Sequence, residues 1–185
     1  MAEEARYVLF DTAIGRCGIA WSARGLTRLQ LPERDPQATE RRLQARASSA
    51  DADAAPPWVQ GTIDEVRRYM GGEPVTFASV ILDLAETGTF DRGVYDAARA
   101  LPWGRTVTYG ELARRAGVPE MARAVGHALS RNPIPVVIPC HRILASGDKL
   151  GGFSAFGGAA TKERLLALEG IRPGGDAPLL PGLLD

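Results

Sequence analysis

Cysteine is scarce in this chain, which holds Cys17 and Cys140 and no other. Two cysteines cannot build the several bridges that hold small secreted proteins together. The two cysteines and two histidines also lack the close spacing of a structural zinc site. We therefore expect a reducing compartment, the cytoplasm, and no metal or other cofactor. Cys17 lies within an apolar strand pattern, where a small buried hydrophobe is the usual role.

Long apolar runs and an excess of one charge are missing as well. No stretch approaches the length of a membrane span, and Glu3, Glu4 and Arg6 interrupt any apolar leader at the start. The formal net charge is zero, so no global positive charge indicates a nucleic-acid partner. These absences predict a soluble globular protein without a membrane association.

The chain changes in character near residues 85–88. Before that point, short β-branched runs between glycines predict strands over residues 6–31, helices over 36–46 and 58–70, and a strand over 74–82. From Thr89, a candidate helix cap, helical patterns dominate. The expected fold class is α/β (α+β): a small N-terminal α/β domain with an antiparallel-type sheet (1–87), a mainly helical domain (88–170), and a Pro/Gly-rich tail (171–185).

A helix-turn-helix is predicted over residues 106–132. Thr108 or Tyr109 begins the first helix, residues 117–119 form the turn, and the second helix runs from about Glu120 to Ser130. Residues 99–131 carry six arginines against two acids, which indicates a basic patch. A solvated arginine-rich surface would give the same composition, so charge leaves both interpretations open.

The second helix has two unlike faces. One is apolar and faces the core in this interpretation: Met121, Val125, Ala128 and Leu129. The other is small and polar: Ala122, Arg123, Gly126, His127 and Ser130. Small side chains suit close approach to the DNA minor groove, which is only about 6 Å wide. An ordinary helical hairpin with small surface residues remains the alternative.

The stretch "NPIPVVIPCHR" (132–142) places a cysteine beside a histidine behind an apolar, proline-rich run. A cysteine nucleophile needs a base or a positive charge to form its thiolate. Neighbours on a regular helix or strand point apart, so a direct Cys140–His141 contact requires a turn; otherwise a water bridges them. Pro139 favours such a break, and residues 135–138 would anchor it in the core.

Glu169 is the candidate to orient His141. It shares one face of a predicted helix with Lys162, Leu165 and Leu166. A carboxylate on a buried apolar face is costly unless it is paired, and a histidine would be a suitable partner. A surface glutamate at a helix end, followed by Gly170, is the alternative. The glycine-rich residues 147–158 lack a phosphate-binding Walker pattern.

These motifs resemble the O6-alkylguanine-DNA alkyltransferase family. The resemblance rests on "PCHR", preceded by "RAVGHALSRNPIP" and followed by "LGGF" and "TKERLLALEG", and includes "LPWGRTVTYGELA"; it covers residues 90–170. It implies direct DNA repair, in which Cys140 irreversibly takes an alkyl group from guanine O6, once per molecule; whether thymine O4 is also a substrate is left open by the sequence. The implied partner is double-stranded DNA, entered from the minor groove with the damaged base flipped out, and the implied state is a monomer, nucleoid-associated when bound.

The resemblance also implies roles for individual residues. Glu169, His141 and a water form a relay that generates the thiolate, and Tyr109 donates a proton to guanine N3. Arg123 replaces the flipped base in the stack, and Asn132 braces the cysteine turn. Pro135, Phe153 and Ser154 surround the base. The chain departs from the family in Phe153, where a tyrosine is usual, and in a loop about two residues longer at 153–158.

Three other function classes are consistent with parts of the sequence. A non-enzymatic binder of alkylated DNA would replace the cysteine, and Cys140 is present. A Cys-His hydrolase would need an oxyanion hole, for which no motif is evident. A helix-turn-helix regulator would need no reactive cysteine.

Overall fold

The computed structural model of the protein describes residues 5–147 and 149–173. Its first part is an antiparallel meander of β1 (Arg6–Thr12), β2 (Gly15–Ser22) and β3 (Gly25–Gln30), as the glycine-punctuated pattern predicts. Gly15 and Gly25 have φ of 127° and 148°, which a side chain would disfavour. The short β4 (Ser48–Ser49) adds to β1 in parallel, giving the sheet order β3-β2-β1-β4.

Helices cover this sheet because its strands are apolar on both faces. Tyr7 and Ala20 pack with Leu43 of α1 (Pro36–Gln44), while Val8 and Ile19 belong to the main core with α2 (Pro57–Met70). Alternate strand residues point to opposite faces, so both sides of β1 and β2 are buried. Cys17 is fully buried in this core, which confirms its prediction as a core residue.

The strand predicted over residues 74–82 does not form. Phe77 has a positive φ of 52°, which breaks an extended run. A single β-bridge, between Leu26 of β3 and Leu82, joins this described segment to the sheet. The Leu26 amide donates to the Ile81 carbonyl at 2.8 Å, and the Leu26 carbonyl accepts from the Asp83 amide at 2.8 Å. Val75, Phe77 and Val80 are nevertheless buried. The apolar pattern correctly indicated that these three side chains are buried. The prediction that their backbone forms a strand was wrong.

The second part is mainly helical. Its described elements are α3 (Thr89–Arg99), β5 (Val107–Thr108), α4 (Tyr109–Arg115), α5 (Ala122–Ser130), a 3-10 turn (Cys140–Arg142), β6 (Ile143–Leu144) and α6 (Ala159–Leu168). The predicted cap at Thr89 is wrong: Thr89 is the first helical residue, and Gly88 precedes it with extended backbone and no side-chain bond. Residues 174–185, most of the predicted tail, lie outside the described residues.

The helix-turn-helix is present. Thr108 caps α4 by accepting from the Glu111 amide at 3.2 Å, and Gly117 makes the turn with φ of 76°. α5 begins at Ala122, two residues later than predicted. Met121 is therefore a cap rather than a helical residue, and it is 44% exposed, so its predicted place in the core stripe is wrong. The other predicted core residues of α5 are buried: Val125, Ala128 and Leu129.

A short parallel pairing connects the helix-turn-helix to the cysteine segment. Val107 pairs with Ile143, and Thr108 pairs with Leu144. Because β5 leads directly into α4 and β6 directly follows Cys140–Arg142, this pairing fixes Tyr109 close to the cysteine turn.

Candidate active site

Cys140 begins a tight turn that is mounted on buried residues. Ile134, Val137 and Ile138 are at most 3% exposed. Asn132 joins both ends of the preceding segment, because its Nδ2 donates to the Ile138 carbonyl and its Oδ1 accepts from the Ile134 amide, both at 2.9 Å. The 3-10 geometry of Cys140–Arg142 is the turn that adjacent cysteine and histidine side chains require. A rigid mount of this kind fixes the position of a reactive thiol.

His141 and Glu169 form a buried pair. The His141 Nε2 lies 2.7 Å from the Glu169 Oε1, and neither side chain is exposed. Glu169 follows α6, whose Lys162, Leu165 and Leu166 are also buried. The structure thus places Glu169 in the interior, and the surface alternative for this residue is wrong.

Further donors converge on the Glu169 carboxylate. It accepts from the Tyr69 hydroxyl at 2.7 Å, from the Gly104 amide at 3.0 Å, and from the Arg142 Nε at 2.9 Å. We call Tyr69, Gly104, His141, Arg142 and Glu169 the Glu169 network. Burial by itself raises the pKa of Glu169, but the hydrogen bonds from His141 and Arg142, together with the charge of Arg142, outweigh it and lower the pKa to about 2. The group is a carboxylate under ordinary conditions.

The network determines which nitrogen of His141 carries a proton. A carboxylate only accepts, so Nε2 must donate to Glu169. Burial lowers the pKa of His141 against the opposing effect of Glu169, so the neutral ring has a bare Nδ1. Among the described residues, this Nδ1 has no hydrogen-bond partner. It is an unpartnered proton acceptor on the residue that follows Cys140 in the chain.

Cys140 itself is 6% exposed. Burial raises the pKa of its thiol, while the Asn132 hydrogen bond, the Lys162 charge and nearby backbone amides lower it. The Lys162 Nζ donates to the Ile143 carbonyl at 2.5 Å and to the Gly152 carbonyl at 3.3 Å. Burial lowers the pKa of Lys162 to about 8. The thiol therefore depends on neighbouring groups to ionise.

A cavity of about 220 Å³ opens over the cysteine. It is lined by Tyr109, Gly126, Leu129, Ser130, Cys140, Gly152, Phe153 and Ser154. This volume is below the roughly 300–1,000 Å³ of pockets for drug-sized ligands, so the cavity suits one small group. Tyr109 and Gly151 are in close contact, since a Cβ on Gly151 would lie 3.2 Å from the Tyr109 ring. Pro135 is half-buried and does not line this cavity.

The outer face of α5 adjoins the cavity through Gly126 and Ser130. We use this name for Ala122, Arg123, Gly126, His127 and Ser130, which are exposed or half-buried. In the described part of the chain, Arg123 takes part in no salt bridge, unlike Arg115 and Arg131. Its guanidinium is available to a partner.

Sequence reasoning missed several contributors to the site. Tyr69 comes from α2 in the N-terminal part, and Arg142 directly follows the Cys-His pair. A signal for Tyr69 existed, because it lies in a helix whose Val66 and Met70 are core residues and a buried tyrosine hydroxyl needs a partner. Lys162 was assigned to the buried face, but its position near Cys140 was not foreseen.

The described residues hold neither a cluster of metal-ligating side chains nor a helix that could span a membrane. Residues 5–147 and 149–173 contain no group of three or more His, Cys, Asp or Glu side chains arranged to hold a metal ion. Over the same ranges, no helix has the length and apolar character needed to cross a membrane.

The chain is similar to known proteins along nearly its whole length. Residues 5–84 match the family model of the 6-O-methylguanine DNA methyltransferase ribonuclease-like domain, and residues 89–171 match that of the DNA binding domain. A methylated-DNA–protein-cysteine methyltransferase of Mycobacterium bovis is 35% identical, covering 94% of this chain and 97% of the relative. One from Methanothermobacter thermautotrophicus is 35% identical over 83% of this chain and 79% of the relative.

Solved structures give the same answer. The crystal structure of Mycobacterium tuberculosis OGT in complex with DNA is similar with a TM-score of 0.71 and 33% identity, over 89% of this chain and 92% of that one. The crystal structure of O6-methylguanine-DNA methyltransferase from Pyrococcus kodakaraensis is similar with a TM-score of 0.65 and 25% identity, over 90% of this chain and 99% of that one. With both family models matched in order and the cysteine turn in place, the chain belongs to the 6-O-methylguanine DNA methyltransferase family.

Proposed function

We propose that the protein repairs DNA by moving an alkyl group from guanine O6 to Cys140, once per molecule. The observation that carries this proposal is the buried thiol of Cys140, which opens on a small cavity and lies next to a histidine oriented by a buried carboxylate. Such an arrangement activates a nucleophile.

The chemical step is a displacement at the alkyl carbon. The thiol proton passes through a water to the bare Nδ1 of His141, while Glu169 stabilises the resulting imidazolium. The Cys140 sulfur then bonds to the alkyl carbon as the carbon–O6 bond breaks, and the electron pair goes to the purine. Tyr109 donates a proton to N3, which leaves neutral guanine, and the proton held on His141 then returns through water to the Tyr109 phenolate. The stable thioether has no route back to thiol, so the protein is consumed.

The cavity residues have positioning roles in this proposal. Phe153 packs against the base, and Ser154 lies near O6 through its backbone. Asn132 holds the cysteine turn by its two hydrogen bonds to Ile134 and Ile138. Pro135 as a pocket wall remains a prediction from the family resemblance.

DNA is engaged through the outer face of α5 in the minor groove. Small residues allow close approach: Ala122, Gly126 and Ser130. The exposed Arg123 enters the stack in place of the flipped nucleotide, and His127 contacts the groove edge. Base flipping costs a few kcal/mol, which the arginine offsets by filling the gap.

We also propose a division into an N-terminal α/β domain (1–87), an alkyltransferase domain (88–170) and a tail (171–185). All the side chains assigned here come from one chain, so the proposed state is a monomer. Since the substrate is chromosomal DNA, the proposed location is the cytoplasm, at the nucleoid when bound.

Mass spectrometry tests the proposed function. The protein is incubated with excess duplex oligonucleotide containing O6-methylguanine, and the intact mass and the modified peptide are measured. We expect one added methyl group on Cys140, saturating at one per protein, and none in Cys140→Ala. Repeated turnover would favour a hydrolase, and binding without transfer would favour a non-enzymatic binder; either result contradicts the proposal.

A further inference from the structure

Tyr69 lies at the centre of the Glu169 network, although it comes from the N-terminal part of the chain. Its side chain is fully buried. Its hydroxyl lies 2.7 Å from the Glu169 Oε1 and 2.9 Å from the His141 Nε2, which are themselves 2.7 Å apart. The three polar atoms thus form a closed triangle. The tyrosine ring is held from outside by Trp103 and Phe77, with ring centroids at 5.3 and 5.7 Å.

The direction of each bond in this triangle is determined. Burial first, and then the charge of Glu169, raise the pKa of Tyr69 well above its ordinary value of 10.0, so the hydroxyl keeps its proton. That single proton goes to Glu169, because a carboxylate cannot donate. The tyrosine oxygen is then left to accept, and the Nε2–H of His141 is the donor within reach. Nε2–H therefore lies between two acceptors, Glu169 and Tyr69.

We propose that Tyr69 is a positioning residue for alkyl transfer, which fixes the His141 ring through Nε2 and so keeps the bare Nδ1 in place to take the Cys140 thiol proton through a water. The proposal rests on the Cys140–His141 relay described above and extends it to the N-terminal part. Two acceptors on Nε2–H restrict the ring more than Glu169 alone would, and the tyrosine also steadies the carboxylate. Both effects act through His141, and Tyr69 itself does not line the cavity over Cys140.

The test compares Tyr69→Phe with Tyr7→Phe. Both changes remove one tyrosine hydroxyl that donates to a glutamate: Tyr7 is 2% exposed, and its hydroxyl donates to the half-buried Glu40 at 2.9 Å. Tyr7 lies in β1 and has no part in the site. The readout is the rate of Cys140 alkylation by free O6-benzylguanine, followed by intact mass, which requires no DNA. We expect about a tenfold loss for Tyr69→Phe near neutral pH, the size of one hydrogen bond to a charged group, and no loss for Tyr7→Phe.

The pH profile separates positioning from a structural effect. As pH rises, hydroxide forms the thiolate without His141, so we expect the Tyr69→Phe deficit to shrink to within about twofold near pH 10. The other groups facing Cys140 are Lys162, Tyr109 and Tyr95, and those facing His141 are Glu169, Arg142 and Lys162. All are the same in both variants. A deficit that stays constant across pH, or a rate equal to that of Tyr7→Phe, would overturn the proposal.

Two further measurements complete the design. His141→Gln must slow free-base alkylation more than Tyr69→Phe does; if it does not, the relay itself is wrong and the proposal fails with it. If it does while Tyr69→Phe reacts normally, only the role of Tyr69 is wrong. With two histidines in the sequence, nitrogen-detected NMR reads His141 directly: we expect the Nε2–H form in the wild type and broadened or shifted ring signals in Tyr69→Phe but not in Tyr7→Phe.

Discussion

The two sides of Cys140 follow opposite rules. Behind it, the Glu169 network is buried, and every polar group except the His141 Nδ1 has a partner. In front of it, the outer face of α5 is exposed or half-buried and has mostly small side chains. Among the described residues, its Arg123 makes no salt bridge. The inner side contains charges that only pairing can stabilise. The outer side leaves Arg123 without a salt bridge among the described residues, which is consistent with its proposed role in binding DNA. Substitutions should therefore affect stability on the inner side and DNA-dependent activity on the outer side.

The largest expected effect is that of Glu169→Ala. The change leaves the buried Arg142 guanidinium without its carboxylate, and breaking a buried pair costs about 3–5 kcal/mol. Denaturant unfolding measures this loss in the free energy of unfolding. Glu111→Ala is the matched control, because its pair with Arg115 is 38–49% exposed and should contribute less than about 1 kcal/mol. An equal loss in the free energy of unfolding for Glu169→Ala and Glu111→Ala would contradict the view that the buried pair contributes more to stability than an exposed one.

The pH dependence of stability gives the next largest effect. Folding lowers the pKa of Glu169 from 4.5 to about 2, so the carboxylate contributes stability above about pH 4.5 that is lost as pH falls toward 2. One pKa unit is a factor of ten, so the contribution to the folding equilibrium is on the order of a hundredfold. Wild type and Glu169→Gln should therefore converge in stability in acid. A gap that persists at about pH 2 would contradict the assigned pairing.

Arg123→Ala tests the outer side. In the proposed mechanism Arg123 fills the gap left by a flipped base, so its loss should slow repair of duplex DNA about ten- to a hundredfold, given a flipping cost of a few kcal/mol. Alkylation by free O6-benzylguanine and the free energy of unfolding should be unchanged. Arg68→Ala, which removes an exposed arginine of α2, serves as the control for loss of positive charge. Equal losses on duplex and free base would rule out the proposed role of Arg123.

The smallest expected effect comes from adding bulk to the outer face of α5. Ala122→Gln should weaken binding to duplex DNA a few-fold, because a longer side chain holds the helix away from a narrow groove. Ala45→Gln, at the exposed end of α1, adds the same side chain elsewhere. Fluorescence anisotropy with a labelled duplex measures both. Unchanged binding by Ala122→Gln would indicate that α5 does not enter the groove.

Local patterns in the sequence were sufficient for much of the fold. Glycines bounded the strands of the meander, Thr108 capped α4, and Pro139 preceded a turn, since each of these depends on neighbouring residues. Errors occurred where a local pattern had two outcomes. The apolar run at 74–82 was compatible with a strand and with a buried irregular segment, and the positive φ of Phe77 belongs to the second. Met121 matched the apolar stripe of α5 but precedes that helix.

The sequence by itself determined the family, the cysteine turn and the two faces of α5, because each depends on residues that are close together in the chain. Only the tertiary structure decided that Glu169 is buried and that Tyr69 reaches it. These residues lie 28 and 72 positions from His141, and no periodicity within one helix distinguishes a buried carboxylate from an exposed one. Packing of α2, α6 and the cysteine turn against one core brings their polar groups together, and burial then requires that those groups satisfy one another.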